Sequence, residues 1–334
     1  LNQVNVLLTG AGGNLAHFIR SALYASKLKI SITVCDYSPF AVGLYQESTG
    51  YIVPAAKEQT YIPKIIAICK KEQITCIMAG GMAEQRVLAA YAEEIYHQTN
   101  AVVISSSSHH LLRMEDKYAL ACHLKDAGFN YPRSVLPTDE THYGEFIEKV
   151  PFPYVVKDRF GAGSQSIGIA QNLFELQFWQ KKISNPVIQE YIYPDDEEYT
   201  VGVFVGKDHC AAGSIVMKRW LDLGMTFKAK VLPESDLGPY CEKVIHGLNC
   251  LGPANIQLRM SDKGPIIFEI NPRFSSTTSA RAHYGFNETE MSIRHFVFGE
   301  KLQKPSVLPG TFFRVIEDVY VSSDKVEAAQ IKQA

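Results

Sequence analysis

The stretch Phe268-Glu269-Ile270-Asn271-Pro272-Arg273-Phe274-Ser275 ends an apolar run with a carboxylate, an amide and a guanidinium, each two residues from the last. Side chains of an extended strand alternate in direction, so Glu269 and Asn271 are expected on one face and Phe268 and Ile270 on the other. Upstream, Asn255-Ile256-Gln257-Leu258-Arg259 repeats the alternation, and Asp262-Lys263-Gly264 reads as the turn of a hairpin between the two. Gln257 then sits on the strand beside Glu269. Oxygen-only side chains that converge in this way suit Mg²⁺, a hard cation that shares its shell with waters and phosphates. Arg273, just beyond, is placed to grip a phosphoryl group in transfer.

Further toward the N-terminus, Val187-Ile188-Gln189-Glu190-Tyr191-Ile192 is an apolar strand edge followed by Asp195-Asp196-Glu197-Glu198-Tyr199. Glu190 and the backbone at Tyr191 and Ile192 can pair with the edge of an adenine ring. Glu198 lies far enough on to accept ribose hydroxyls, whereas the three acids before it read as a solvated turn. Earlier still, Lys157 ends the strand Val155-Val156-Lys157. It precedes Gly161-Ala162-Gly163-Ser164-Gln165-Ser166-Ile167-Gly168, a loop whose glycines let backbone N–H groups approach an anion. Taken alone, that segment fits an ordinary hairpin as well as a phosphate cover.

Residues 1–108 alternate strand-like and helix-like runs, the pattern of a parallel sheet covered on both faces. From residue 151 the pattern changes to antiparallel-type strands with glycine turns. The first strand, residues 4–9, meets Gly10-Ala11-Gly12-Gly13-Asn14, and Asp36 ends the second. This is a partial dinucleotide fingerprint, because Leu15 stands where its third glycine belongs. A nicotinamide-dependent oxidoreductase is therefore an alternative, and a tight strand-to-helix turn is the plainer reading.

The order of these pieces resembles the ATP-grasp superfamily. The text Gly252-Pro253-Ala254-Asn255-Ile256-Gln257, together with the Glu-x-Asn-Pro-Arg element, looks like its carbamoyl-phosphate-synthase-like branch. The resemblance covers about residues 4–300. It implies a Rossmann-like α/β domain ahead of a two-lobed α+β ATP-grasp unit, with ATP held between two antiparallel sheets. The expected division is 1–108 for the first domain, 109–185 for the small lobe and 186–334 for the large lobe. Carried onto this chain, the family pattern makes Lys117 and Lys157 the nucleotide-phosphate cations and Gly161, Gly163, Ser164 and Gly168 the phosphate loop. Glu190 and Ile192 become the adenine hinge, and Glu198 the ribose acid. Gln257, Glu269 and Asn271 become the metal ligands, and Arg273, with Lys157, acts on the transferring phosphoryl group. The activity implied is ATP- and Mg²⁺-dependent ligation of a carboxylate to an amine through an acyl-phosphate, with Mn²⁺ able to substitute. Phosphoryl transfer to a non-carboxylate acceptor is a second outcome that the motifs allow. The chain is far shorter than the synthases and shows one such unit and no glutaminase, so carbamoyl phosphate synthesis itself is not expected.

The substrate side is less legible. Lys218, Arg219, Lys228 and Arg281 are cations able to hold a carboxylate, or else solvated surface charges. Glu84, after Gly80-Gly81, sits where a third strand meets a helix and can bind an amine. His109 and His110 are adjacent, so they do not share a face, and they read as loop residues. Net charge is -2, without the basic excess that draws nucleic acid. No apolar run approaches the roughly 20 residues of a membrane span. The N-terminal run reads as a buried strand and not as a secretory signal. The seven cysteines form no C-x-x-C pair and read as reduced packing thiols of a cytoplasmic protein. Small-molecule substrates are the expected partners, with a homodimer as one available assembly.

Overall fold

The computed structural model describes residues 3–161, 166–222 and 224–331. Among them the strands form three sheets. The first belongs to the N-terminal domain: β1 (Val4–Thr9), α1 (Asn14–Tyr24), β2 (Ile30–Asp36), β3 (Thr49–Ile52), α2 (Tyr61–Lys71), β4 (Cys76–Ala79), α3 (Met82–Ala90), α4 (Ala92–Thr99) and β5 (Val102–Val103). Its order is β3-β2-β1-β4-β5, and every pair is parallel. Central β1 is buried on both faces. Val4, Val6 and Leu8 pack toward α1 through Ala16, Ile19 and Leu23, and Leu7 packs toward α2 through Ile65 and Ile68. That two-sided burial explains why β1 reads as an almost continuous apolar run. Gly10 closes the strand at a φ of 64°, a left-handed conformation that glycine adopts without steric cost.

Two helices follow, α5 (Ser108–Glu115) and α6 (Lys117–Asp126), broken at Asp116. Asp116 has extended backbone angles, and its carboxylate accepts from the N–H groups of Tyr118 and Ala119. A capping acid of this kind both ends one helix and starts the next. His109 and His110 therefore lie on a helix, not in the loop expected for them.

The small lobe holds β6 (Ser134–Val135), α7 (Glu140–Lys149), β7 (Tyr154–Asp158), β8 (Ile167–Ala170), α8 (Leu173–Lys182) and β9 (Pro186–Glu190), in the antiparallel order β6-β9-β7-β8. Since β9 hydrogen-bonds within this sheet, the lobe runs past residue 185, where it was expected to end. The large lobe holds β10 (Glu198–Val205), β11 (Ala211–Asp222), β12 (Met225–Val231), α9 (Leu237–His246), β13 (Gly252–Ser261), β14 (Gly264–Asn271), α10 (Thr278–His283), α11 (Glu288–Ser292) with a π-turn at Ile293–Val297, β15 (Gly310–Phe313) and α12 (Ser323–Ile331). Its sheet order is β14-β13-β10-β11-β12-β15.

One face of that sheet, through Val201, Val203, Ile256 and Ile270, packs on α9 (Val244, Ile245) and on Met114, Leu120 and Leu124 of α5 and α6. The helices between the two domains thus belong to the large lobe's core, although their residue numbers lie in the span expected for the small lobe. The other face is apolar at Phe204, Ile215 and Met217 and polar at the end nearest the small lobe. Cys35, Cys69, Cys76, Cys241 and Cys250 are buried, Cys122 is half-buried and Cys210 is exposed, and no two are bonded.

Candidate active site

A cleft of about 410 Å³ separates the four-stranded sheet from the polar end of the six-stranded one. That volume is in the range of sites for nucleotide-sized ligands. Lys117, Lys157, Gly161, Glu190, Ile192, Glu198, Gln257 and Glu269 all line it, so residues spread over 150 positions of sequence meet around one space.

The basic end is built by two strands and a helix start. β7 pairs with β8 and β9, which places Lys157 opposite Ile167 and Val187. Lys157 is 8% exposed, and its ammonium lies 3.4 Å from the Phe268 carbonyl and 5.4 Å from the centre of the Phe268 ring. Burial pulls its pKa down to about 7, against the opposing pull of the Glu269 carboxylate. Lys117 opens α6, and its Nζ donates to the Gly161 carbonyl. Arg159 joins the two elements: its guanidinium forks onto both oxygens of Asp116 at 2.7 and 2.6 Å, and its carbonyl accepts from the Lys117 N–H.

At the opposite end, Glu190 is held by Arg133. The Arg133 backbone N–H and Nε donate to its two oxygens at 2.9 and 2.7 Å. The carboxylate expected at an adenine amino group thus accepts from Arg133 on both oxygens in this structure. Ile192 presents its carbonyl to Arg259 at 2.8 Å. Among the described residues its N–H has no protein partner. Glu198, 6% exposed, is clamped on both oxygens. Arg219 donates at 2.6 and 3.1 Å to Oε1, and Arg259 donates from 3.0 Å to Oε2.

Glu269 and Asn271 pair across the ladder with Gln257 and Asn255. The expected hairpin is present, with one change. A bulge inserts Phe268 between the Gln257–Glu269 and Leu258–Ile267 pairs, so Phe268 turns into the cleft beside Glu269 and the alternation is broken there. Ile270 keeps the core-facing side. Asn271 Nδ2 donates to Glu269 Oε1 at 3.1 Å, Arg273 Nη2 donates to Asn271 Oδ1 at 3.0 Å, and Arg219 Nη2 donates to Gln257 Oε1 at 2.9 Å. Each accepting oxygen retains a second lone pair. One carboxylate and two amide oxygens form a hard, oxygen-only donor set, which fits Mg²⁺ bound jointly with phosphates. Among the described residues no cluster of three or more His, Cys, Asp or Glu forms a metal site by itself.

A second, smaller cavity of about 110 Å³ adjoins the first, sharing Arg219, Leu221, Gln257 and Glu269 with it. Thr200, Thr226, Asn255, Arg273 and the hydroxyls of Ser275 and Thr277 complete a nearly all-polar wall. Burial pulls the Arg273 guanidinium below its ordinary pKa, opposed by Glu269 and Glu115.

Several expected site residues lie elsewhere. Lys218 neighbours Arg219 on β11, so it takes the opposite face of the sheet and pairs there with Glu197. Lys228 sits over the Trp220 ring at 4.2 Å on that same outer face. Arg281 is fully buried beneath Gly202, bonded to Glu288 at 2.9 Å and to Thr200 at 3.2 Å. It supports the floor of the small cavity from behind. Gly168 faces the Trp179 ring, while its neighbours Ile167 and Ile169 line the cleft. Gly163 and Ser164 lie outside the described residues. Glu84 stands apart from the cleft in the first turn of α3, half-buried beside Gly10 and Gly81. Burial raises its carboxyl pKa, as does Asp36 nearby, while a backbone hydrogen bond opposes them.

Asp36 itself turns inward. Its oxygens accept from the N–H groups of Gly12 and Ser38, both at 2.8 Å, so it holds the glycine turn and does not project toward a ribose. The residues that sequence reasoning left unassigned are Arg133, Arg159 and Arg259. Arg259 was findable, because it lies two positions after Gln257 on the same strand face. The other two act through long-range pairing that leaves no local signal.

A profile of the ATP-grasp domain matches residues 114–277, and one of the PylC-like N-terminal domain matches residues 6–103. The carbamoyl phosphate synthase large chain of Methanosphaerula palustris is 25% identical over an alignment 300 residues long that covers 82% of this chain and 28% of that protein. The chain therefore spans little more than a quarter of that relative's length. Among solved structures, N5-carboxyaminoimidazole synthetase from Staphylococcus aureus complexed with ADP has a TM-score of 0.73 at 16% identity, over 94% of this chain and 82% of that one. Biotin carboxylase from Campylobacter jejuni has a TM-score of 0.67 at 15% identity, over 91% and 72%. At such identities the structural likeness speaks for the fold, and the profiles speak for the family. Residues 114–277 of this chain are thus an ATP-grasp domain, preceded by a domain that matches the PylC-like N-terminal one over residues 6–103.

Proposed function

We propose that this protein is an ATP- and Mg²⁺-dependent carboxylate–amine ligase. The observation that carries the reading is the meeting of two lysines, Lys117 and Lys157, with the Gln257–Glu269–Asn271 oxygen set around one cleft that opens into a small polar cavity. The triphosphate would extend from the Ile192 backbone toward the lysines. Gln257, Glu269 and Asn271 would hold Mg²⁺, which when bound neutralises phosphate charge. The two lysines and Arg273 spread the charge that shifts during transfer, so the protein needs no nucleophile of its own.

In the first step a carboxylate oxygen in the small cavity attacks the γ-phosphorus, and ADP leaves. In the second, an amine nitrogen attacks the acyl carbon of the resulting acyl-phosphate, and inorganic phosphate leaves. The cavity's size admits a small carboxylate or the head of a larger one, and Arg219 and Arg273 supply the cations. Glu84, on the N-terminal domain, is a candidate partner for the amine while it is still an ammonium. The names of the relatives, a synthase, a synthetase and a carboxylase, support a ligase class, and the neighbour solved with ADP supports the nucleotide.

The test is ADP release in a screen of carboxylates, amino acids and sugar acids among them, with mixed amines. Glu269→Ala and Asn271→Ala are expected to lower ADP release by at least about 100-fold while Tm stays near that of the parent. Unchanged turnover in either variant would sink the assignment. A stable phosphorylated product formed without any amine would turn it toward phosphoryl transfer.

A further inference from the structure

Helix α3 runs from the N-terminal sheet to the turn Asn271-Pro272-Arg273, and one buried side chain joins them. Gln85 is 3% exposed. Its Nε2 donates to the Pro272 carbonyl at 2.9 Å and to the Ser105 hydroxyl at 3.3 Å, while its Oε1 is buried with no protein partner among the described residues. Pro272 lies between the Asn271 amide and the Arg273 guanidinium, and it has no N–H of its own to anchor the turn. The turn's own ties run between its two ends, from the Arg273 N–H to the Asn271 carbonyl at 2.8 Å and from the Arg273 guanidinium to Asn271 Oδ1 at 3.0 Å, and neither touches the Pro272 carbonyl. A buried carbonyl without a partner is costly, so the Gln85 amide selects the orientation of this peptide. The adjacent Arg86 forks onto Glu115 at 2.8 and 2.6 Å, and Glu115 in turn acts electrostatically on Arg273. Consecutive residues of α3 thus reach the same turn by two routes.

We propose that Gln85 is a positioning residue: by fixing the Pro272 carbonyl, it aims the oxygen of Asn271 and the guanidinium of Arg273 into the site. The inference rests on the reading of Glu269 and Asn271 as Mg²⁺ ligands. Gln85 belongs to the domain that carries Glu84, so the amine side and the metal strand share one helix.

The experiment is calorimetric titration of the whole chain with ATP, with Mg²⁺ and with EDTA, for the parent, Gln85→Met and Gln85→Glu. Gln85→Met is expected to weaken ATP binding in Mg²⁺ by about 10–100-fold and to weaken metal-free binding much less, by the share that Arg273 alone contributes. Gln85→Glu, divided by the parent at each pH, is expected to be as weak as Gln85→Met at pH 8 and to recover at pH 5.5. There its protonated carboxyl can donate to the Pro272 carbonyl, and no such recovery is expected of Gln85→Met. Parental affinity in Mg²⁺ for Gln85→Met, equal losses with and without the metal, or a flat ratio for Gln85→Glu would each overturn the positioning role. A parent whose ATP binding ignores Mg²⁺ would instead overturn the metal-site reading beneath it.

Discussion

Lys157 shows how one residue can be costly to the empty protein and useful to the loaded one. It sits among apolar strand residues and the Phe268 ring, and burial holds its pKa near 7. An unfolded lysine keeps its proton to about pH 10.4. Between these values the unfolded chain binds more protons, so this group's contribution to stability rises with pH from about 7 upward. A triphosphate favours the charged ammonium and acts in the opposite direction. ATP binding at pH 8 is therefore expected to take up a proton at Lys157, and affinity should fall as pH rises above 7. Calorimetry in two buffers of different ionisation heat reads that uptake, and Lys157→Met should abolish it. Binding of ATP without proton uptake by the parent would contradict this account of the site.

At the level of elements, the hairpin β13–β14 and the strand pair β7–β8 do different jobs. The hairpin presents the Gln257–Glu269 pair directly, and its bulge adds Phe268 to the same wall as a platform beneath Lys157. β8 lies over the cleft with Ile167 and Ile169 exposed toward it, and Gly168 turns the other way onto α8. A Cβ at Gly168 would lie 2.1 Å from the Trp179 ring. Gly168→Ala is thus expected to destabilise the small lobe by about 1–3 kcal/mol through overpacking. Its nucleotide affinity, measured well below the melting range, should stay near that of the parent. Thermal unfolding and low-temperature titration separate the two effects, and a loss of affinity without loss of stability would return Gly168 to the phosphate loop expected from the sequence.

Across the whole molecule, the site is a property of three bodies. The small lobe brings Lys157, α6 brings Lys117 from the core of the large lobe, and α3 of the N-terminal domain braces the turn after Asn271. Long-range ties hold these together: Arg159 to Asp116 and Gln85 to Pro272. A ligand that bridges the bodies should stabilise them jointly, by about 2.7 kcal/mol at one hundred times its Kd. ATP with Mg²⁺ is expected to raise Tm by several degrees and NADH to leave it unchanged, because Asp36 is turned inward to hold its own loop. The reverse pattern in a thermal-shift assay would revive the oxidoreductase alternative. Among the described residues no helix is long and apolar enough to cross a membrane.

What the sequence determined by itself is local in origin. Period-two alternation put Gln257, Glu269 and Asn271 on adjacent strands, and alternating strands and helices announced the parallel sheet. Tertiary structure alone decided which face each cation takes. Lys218 and Arg219 are neighbours in the chain, yet only Arg219 meets Glu198; the basic residue at 281 vanished into the core to pair with Glu288. It also decided the bulge at Phe268, the capture of Glu190 by Arg133 and the reach of Gln85 to a turn 187 positions away. The physical reason is that alternation acts over a few residues. Burial and ion pairing depend instead on what the rest of the fold brings alongside, and a single strand carries no record of that.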